Sequence, residues 1–127
     1  MYESELISKW KIKVPLEHGP GWFGVLDTIL SAMEAAGFDK QRDEITQIKE
    51  KFGCIRVYVN FDQSIAGGSE RLEQVRKAML GADKSAKTCE ICGEPSKMMV
   101  THGWWMTRCL EHKPEGSKSL REHFNRV

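Results

Sequence analysis

The first pattern in the chain is an alternation of polar and apolar residues. Over residues 9–14 the sequence is Lys-Trp-Lys-Ile-Lys-Val. This period of two is typical of a strand with one buried face. Pro15 follows and has no backbone N–H to continue the pairing. The sequence therefore predicts a first strand at residues 9–14.

A helical pattern follows the turn-forming segment Gly19-Pro20-Gly21. Apolar residues then recur every three or four positions, at Trp22, Val25, Leu26, Ile29, Leu30 and Met33. That spacing lines one face of a helix. Gly37 followed by Phe38 matches a C-terminal cap and its apolar contact. The sequence predicts a helix that ends near Gly37.

Residues 45–60 contain two strand-like runs on either side of Gly53, and together they predict a β-hairpin. We expect one face to hold Ile48, Glu50 and Phe52 from the first run with Ile55, Val57 and Val59 from the second.

A second helical pattern covers residues 62–86. Gly67 and Gly68 each cost a helix about 1 kcal/mol, so its secure part begins near Ser69.

Cysteine and histidine are concentrated toward the C-terminus. Cys89 and Cys92 form a Cys-x2-Cys-Gly turn, and after sixteen intervening residues Cys109 and His112 form a Cys-x2-His pair. Two ligands separated by two residues reach one ion, and three thiolates with one imidazole suit tetrahedral Zn²⁺. Four protein ligands leave no position for an activated water. The sequence predicts one structural zinc ion rather than a catalytic one.

The segment between the two ligand pairs predicts another hairpin, with strands at 98–101 and 104–108 around His102-Gly103. Residues 117–127 suit a short helix with Leu120 and Phe124 on one face. The expected module is a zinc ribbon or a treble clef, and the tail helix favours the treble clef. We predict an α+β fold: a small antiparallel sheet, two main helices and this C-terminal module.

Length and charge set limits on this picture. A chain of 127 residues is ordinary for one compact unit, which we divide into an α+β body at 1–86 and a zinc module at 87–127. The net charge of +1 gives no general support to nucleic-acid binding. The start of the chain shows neither a signal sequence nor an apolar span, so we expect a cytoplasmic protein without membrane contact.

Two groups of residues are candidates for contact with a partner. Trp104 and Trp105 are adjacent on a predicted strand and point to opposite faces, so one of them could be exposed beside Met106. A basic hairpin face with an aromatic residue is formed by Lys49, Lys51, Arg56 and Tyr58, and Arg108 adds a further cation. Aromatic residues and methionine suit a protein interface, whereas cations with an aromatic suit nucleic acid.

Catalysis finds little support in the sequence. His102 competes with His112 as the fourth metal ligand, but His112 has the paired spacing. His123 and Asn125 faintly resemble the histidine and asparagine of treble-clef nucleases, with no acidic partner at a diagnostic spacing. Cys54, in the first hairpin, is a spare cysteine. We therefore expect a protein that is not an enzyme.

Several motifs together resemble a family of small phage and prophage proteins with a C-terminal Cys-x2-Cys…Cys-x2-His module. They are Gly21-Trp22-Phe23, the run from Gln47 to Val59, the Cys89–Gly93 turn, and Gly103-Trp104-Trp105 before Cys109 and His112. The family often has two glycines where this chain has Gly53-Cys54. The resemblance implies expression inside a bacterium and an accessory role in infection, and it brings no defined activity.

From these observations we expect a non-enzymatic, zinc-containing interaction protein that binds and modulates a host protein, such as a defence component. The first alternative is a nucleic-acid-binding accessory protein, and a weaker one is a small treble-clef nuclease. The sequence identifies neither the partner nor the oligomeric state.

Overall fold

The computed structural model describes residues 1–125. Its helices are α1 (Glu3–Trp10), α2 (Phe23–Ala35), α3 (Gly68–Ala82) and α4 (Leu120–Phe124). Its strands are β1 (Leu16–Glu17), β2 (Glu44–Lys51), β3 (Cys54–Asn60), β4 (Lys97–Thr101), β5 (Trp104–Arg108) and β6 (Lys118–Ser119), and single 3-10 turns lie at Pro20–Trp22 and Ser85–Lys87. None of the helices within residues 1–125 is long and apolar enough to cross a membrane.

The predicted strand at 9–14 is wrong, because its first two residues belong to helix α1. Leu6 and Trp10 are four residues apart, lie on one face of the helix and are both buried. This helical spacing overrides the alternation that follows it. Pairing begins only after Pro15, where β1 lies parallel to β2 and aligns Leu16 with Ile48.

The first sheet has the order β1-β2-β3 and contains the predicted hairpin. Strands β2 and β3 pair antiparallel, with Ile48 opposite Val57, and a bulge lies between Ile45 and Gln47. The apolar face packs against the helices around a core that includes Leu26, Ile29, Leu30, Met33, Ile48, Ile55 and Val75. Phe52 does not join this face, contrary to our expectation: it lies in the turn and is 63% exposed.

Helix α2 confirms the helical spacing and its predicted end. Gly37 has a φ of +119°, and the N–H of Phe38 donates to the carbonyl of Met33 at 2.9 Å. This is the Schellman arrangement, in which a left-handed residue ends the helix. Helix α3 covers the secure part of the second prediction but stops at Ala82, short of residue 86.

A buried ion pair fixes α3 to the loop after α2. Arg71 donates to both carboxylate oxygens of Asp43, at 2.6 and 3.1 Å, and also to the carbonyls of Gly37 and Asp62. The Asp43 carboxylate accepts from the backbone N–H groups of Asp39 and Asp62. The Asp43 side chain is completely buried, so these hydrogen bonds replace its water shell.

The second sheet has the order β5-β4-β6, with β4 paired antiparallel to both neighbours. The predicted hairpin around His102-Gly103 is confirmed, and so is an α+β architecture. The tail helix is present as the five residues of α4. Residues 126–127, which the predicted tail helix also included, lie outside the described residues.

Replacing Asp43 with alanine should destabilise the protein by about 3 to 5 kcal/mol. The change leaves the buried guanidinium of Arg71 without its counter-charge. Urea unfolding followed by circular dichroism measures the loss. Glu73→Ala is the matched control, because it breaks the exposed Lys77–Glu73 pair and should cost less than about 1 kcal/mol.

The cost of removing Asp43 should also depend on pH. Burial raises the pKa of this carboxyl, but hydrogen bonds from Arg71 and from two backbone N–H groups outweigh burial and hold the pKa below its ordinary value. The carboxylate therefore contributes stability above the pKa of the unfolded chain, and that contribution disappears as pH falls through the lower folded-state pKa. A penalty for Asp43→Ala as large at pH 2 as at pH 7 would contradict this role.

Candidate metal centre and the adjoining surface

The first ligand pair lies in a tight turn between the 3-10 turn at Ser85–Lys87 and strand β4. The N–H of Gly93 donates to the carbonyl of Cys89 at 2.9 Å, and the N–H of Cys89 donates to the carbonyl of Glu94. Gly93 has a φ of +83°, which glycine adopts without steric cost. This turn brings the thiols of Cys89 and Cys92 to the same side of the chain.

The second pair lies in the turn that follows β5. The N–H groups of His112 and Lys113 both donate to the carbonyl of Cys109. The four ligand atoms of Cys89, Cys92, Cys109 and His112 all lie within 4.8 Å of one another. The pairing that the sequence predicts is therefore present in space, and this group could hold a metal ion.

Two of the distances between ligand atoms match the edges of a coordination tetrahedron, and the distance from His112 to Cys109 is shorter. Zn–S and Zn–N bond lengths imply edges of ~3.8 Å between sulfurs and ~3.6 Å between sulfur and nitrogen. The Cys92 and Cys109 sulfurs are 3.7 Å apart, and Nδ1 of His112 lies 3.8 Å from the Cys89 sulfur and 3.1 Å from that of Cys109. A disulfide needs ~2.05 Å, and all four cysteines are free.

The thiols also show why a cation suits this position. Burial raises the pKa of Cys89, but backbone N–H groups of Cys109, Cys92 and Ile91 outweigh burial and lower this pKa to about 6. At Cys92 a backbone N–H from Glu94 lowers the pKa, whereas burial and the neighbouring thiols raise it, and the result is about 11. The negative charge of Cys89 is one of the causes that raise the pKa of Cys92, and a bound cation would remove this repulsion and favour the thiolate forms.

The turn at residues 89–93 carries Cys89 and Cys92, and we call it the metal-binding turn. It packs directly against the body of the protein. The N–H of Gly21 donates to the carbonyl of Glu90 at 2.7 Å, and the indole N–H of Trp22 donates to the carbonyl of Thr88 at 2.8 Å. A Cβ on Gly21 would lie 2.1 Å from the carbonyl oxygen of Cys89. Only glycine permits this approach between the two backbones.

Glu90, which lies between Cys89 and Cys92, adds a charged group to the contact between the metal-binding turn and the body. Its carboxylate accepts from the N–H of Gly19 at 2.8 Å and lies 3.5 Å from the guanidinium of Arg108. Burial lowers the pKa of the nearby His18, against the attraction of Glu90. Arg108, which the sequence offered for partner contact, has a side chain only 18% exposed, so its charge is used within the protein.

The two hairpins meet beside the metal centre. The hydroxyl of Thr107, fully buried on β5, donates to the carbonyl of Gly53 at 2.7 Å. Both two-residue turns, Phe52-Gly53 and His102-Gly103, have positive φ at each residue, which defines type I′ turns. The turn of the first hairpin is therefore held against the second hairpin.

This contact leaves an aromatic surface open. Phe52 and Trp104 are 63% and 74% exposed. A cleft of about 380 Å³ runs between the two turns, lined by Glu50, Lys51, Phe52, Gly103, Trp104 and Trp105. We call the part formed by Phe52 and Trp104 the aromatic tip.

The adjacent tryptophans do point to opposite faces. Trp104 is exposed, whereas Trp105 is half-buried and packs edge-on against Phe124 at 5.9 Å between ring centres. Met106 is also half-buried, and its backbone lies under Gly53.

The predicted basic face is present on the first hairpin. Lys49 lies directly opposite Arg56, and Tyr58 lies opposite Gln47 on the same face. Lys51 extends its ammonium over the ring of Phe52 at 5.7 Å. The neighbouring strand places Glu17 beside Lys49, which reduces the positive charge of this face.

The remaining candidates lie apart from the metal ligands. His102 occupies a turn, and Cys89, Cys92, Cys109 and His112 are the one group of three or more metal-ligating side chains that the structure brings together within residues 1–125. His123 lies on α4 against Phe124. Cys54 is half-buried, and burial together with the carboxylate of Asp83 raises its pKa.

Sequence reasoning missed the parts of the site that depend on distant backbone contacts. Gly19, Gly21 and Trp22 were assigned to a turn and a helix face, and no spacing rule connects them to Glu90. The dipeptides Phe52-Gly53 and His102-Gly103 carried a partial signal, since glycine is typical of the second position of a type I′ turn, whereas asparagine or aspartate is the usual first residue.

Comparison with known proteins finds no matching family model, no similar curated protein and no similar solved structure.

Replacing Cys109 with serine should abolish stoichiometric metal binding and unfold at least residues 87–125. The weakened ligand set can no longer supply the binding free energy that folds a small metal module. Metal content by mass spectrometry and thermal unfolding measure the two effects. Cys54→Ser is the control, and it should retain full metal content because Cys54 is outside the ligand group.

Replacing Gly21 with alanine should weaken metal binding although all four ligands remain. The added methyl group overlaps the backbone at Cys89 and Cys92, so the metal-binding turn must separate from the body. Chelator competition and thermal unfolding measure the effect. Gly24→Ala is the control, because a Cβ there meets nothing within 4 Å and should stabilise α2 by about 0.5 to 1 kcal/mol. Equal behaviour of the two variants would contradict the docking contact.

Proposed function

We propose that this protein is a non-enzymatic interaction protein stabilised by one zinc ion. Zinc is supported by the ligand set, since three thiolates and one imidazole at tetrahedral spacing favour it over harder metals. These four residues fill the coordination shell, so the ion has a structural role. The two turn-borne ligand pairs joined by a hairpin favour a zinc-ribbon-like module. A treble clef would take its second pair from a helix, and α4 begins only after the ligands.

The observation that carries this proposal is the aromatic tip. Two large rings stand in solvent, and the turn that carries Phe52 is held against β5, the strand that carries Trp104, by the hydrogen bond from Thr107 to Gly53. Exposed aromatic residues beside a cleft are typical anchors of protein interfaces, because they bury much area at little cost in conformational entropy. Other large hydrophobic side chains are exposed as well, among them Tyr2, Leu110 and Phe124, but Phe52 and Trp104 line one cleft together.

The backbone at Phe52 supports a functional role for its ring. Phe52 has a φ of +53°, a left-handed conformation that disfavours bulky side chains. Asparagine followed by glycine is the preferred sequence for this turn. The chain therefore accepts local strain in order to present a phenyl group to solvent.

The partner we propose is a protein. A bacterial host protein is the specific expectation, on the strength of the resemblance to phage accessory proteins, with the bacterial cytoplasm as the location. The alternative, nucleic-acid binding, is supported by the cross-strand pair of Lys49 and Arg56, because like charges placed opposite each other destabilise a sheet. Glu17 beside Lys49 weighs against it.

Phe52→Asn should abolish partner capture while preserving or raising the melting temperature. The substitution removes the ring but supplies the residue that the turn prefers. The measurement is a pull-down of tagged, zinc-loaded protein from nuclease-treated bacterial lysate, with mass spectrometry of retained proteins. Trp104→Ala should reduce recovery at least about tenfold.

Leu80→Ala is the control, since Leu80 is a comparably exposed apolar residue on α3 and does not line the cleft. Recovery of one stoichiometric protein by the wild type and by Leu80→Ala alone supports the proposal. Recovery only from lysate that has not been treated with nuclease would favour the nucleic-acid alternative. Unchanged capture by Phe52→Asn and Trp104→Ala would remove the aromatic tip from the interface.

A further inference from the structure

A second cleft lies where the end of α1 meets the loop before β2. Its volume is about 510 Å³, which is the size of a small-molecule site. The side chain of Trp10 forms part of its wall and is itself buried. Neither the metal centre nor the aromatic tip contributes a residue to it.

The wall of this cleft is basic. Lys11, Lys13, Lys40 and Arg42 line it together with Asp43 and Glu44. Because the Asp43 carboxylate is fully buried and bound to Arg71, it does not neutralise the cleft. Glu44 is then the one acidic side chain against four cations.

These cations differ in how far they are already paired. The guanidinium of Arg42 forms an ion pair with the Asp62 carboxylate at 3.1 Å. The ammonium of Lys40 lies 3.6 Å from the Glu34 carboxylate and over the ring of Trp10. Within residues 1–125, neither Lys11 nor Lys13 takes part in an ion pair. Two exposed ammonium groups on one short segment are therefore available to an anion.

The backbone of Lys11 lies in the left-handed region. Lys11 has a φ of +53° and ends helix α1, with the N–H of Ile12 donating to the carbonyl of Ile7 at 3.0 Å. Glycine is preferred at this position because it has no Cβ. A lysine therefore occupies a site where its own backbone is strained, and this conformation fixes where its side chain starts.

We propose that this cleft binds a phosphate-bearing anion, with Lys11 and Lys13 as its principal contacts and Lys40 and Arg42 completing the positive wall. The volume of this open cleft can hold a group of the size of a nucleotide or a short polyphosphate. Multiple phosphate charges match several ammonium groups better than a single carboxylate does. The same chemistry occurs in a free polyphosphate and in a nucleic-acid backbone.

The test is isothermal titration of the full zinc-loaded chain with sodium tripolyphosphate and, separately, with a single-stranded DNA 12-mer. The variants are Lys11→Gly, Lys13→Gln and, as control, Lys77→Gln. Lys77 lies on α3 beside Glu73 and does not line the cleft. We expect Lys11→Gly and Lys13→Gln each to weaken binding at least about tenfold, and Lys77→Gln to leave it unchanged.

Lys11→Gly carries a second readout. Relief of the left-handed strain should raise the melting temperature by about 3 to 5 °C while affinity falls, a combination that damage to the fold cannot produce. Binding of tripolyphosphate assigns the site to free polyphosphates, and binding of DNA alone assigns it to a nucleic-acid backbone. Binding of neither probe, or equal binding by all variants, would overturn the proposal.

Discussion

The C-terminal module is joined to the body by a contact between two stretches of backbone. These are the metal-binding turn at 89–93 and the segment from Gly19 to Trp22. Two hydrogen bonds hold these two segments together, and the absence of a Cβ at Gly21 lets them come into direct contact. Residues 87–125 are too few to build an independent hydrophobic core, so they depend on contacts with the body, and a metal held by the Cys/His group would add to their stability. Helix α2 of the body begins at Phe23, directly after the segment from Gly19 to Trp22 that the metal-binding turn contacts.

Features defined by local periodicity were predictable. The spacing of Trp22 to Met33, the Gly37 cap and the Cys-x2-Cys and Cys-x2-His pairs each express a rule that operates within a few residues. Contacts between distant residues were not. The ion pair of Arg71 with Asp43 looks like two surface charges in the sequence, since nothing near either residue signals burial. Helix α1 was missed because Lys-Trp-Lys-Ile-Lys-Val satisfies the strand pattern while Leu6 and Trp10 form a helical one.

The places where local preference and global structure disagree are informative. Three residues other than glycine have positive φ in residues 1–125, namely Lys11, Phe52 and His102. A sequence optimised only for folding would place glycine or asparagine there. Lys11 lines a basic cleft, and Phe52 forms the aromatic tip. His102 stands on the turn next to Trp104. The strained backbone positions of this fold therefore lie at the two surfaces that we propose as binding sites.

The hydrogen bond from Thr107 to Gly53 has a consequence for how the protein would respond to its surroundings. Thr107 lies on β5, two residues before the candidate ligand Cys109, so the strand that leads into the second ligand pair is hydrogen-bonded to the turn of the first hairpin. Thermodynamic linkage is reciprocal. If the Cys/His group binds zinc and the aromatic tip binds a partner, as we propose, and zinc binding orders the tip, then partner binding would strengthen zinc binding and loss of zinc would weaken partner binding by the same factor. Metal supply would then set the working concentration of the binding-competent protein.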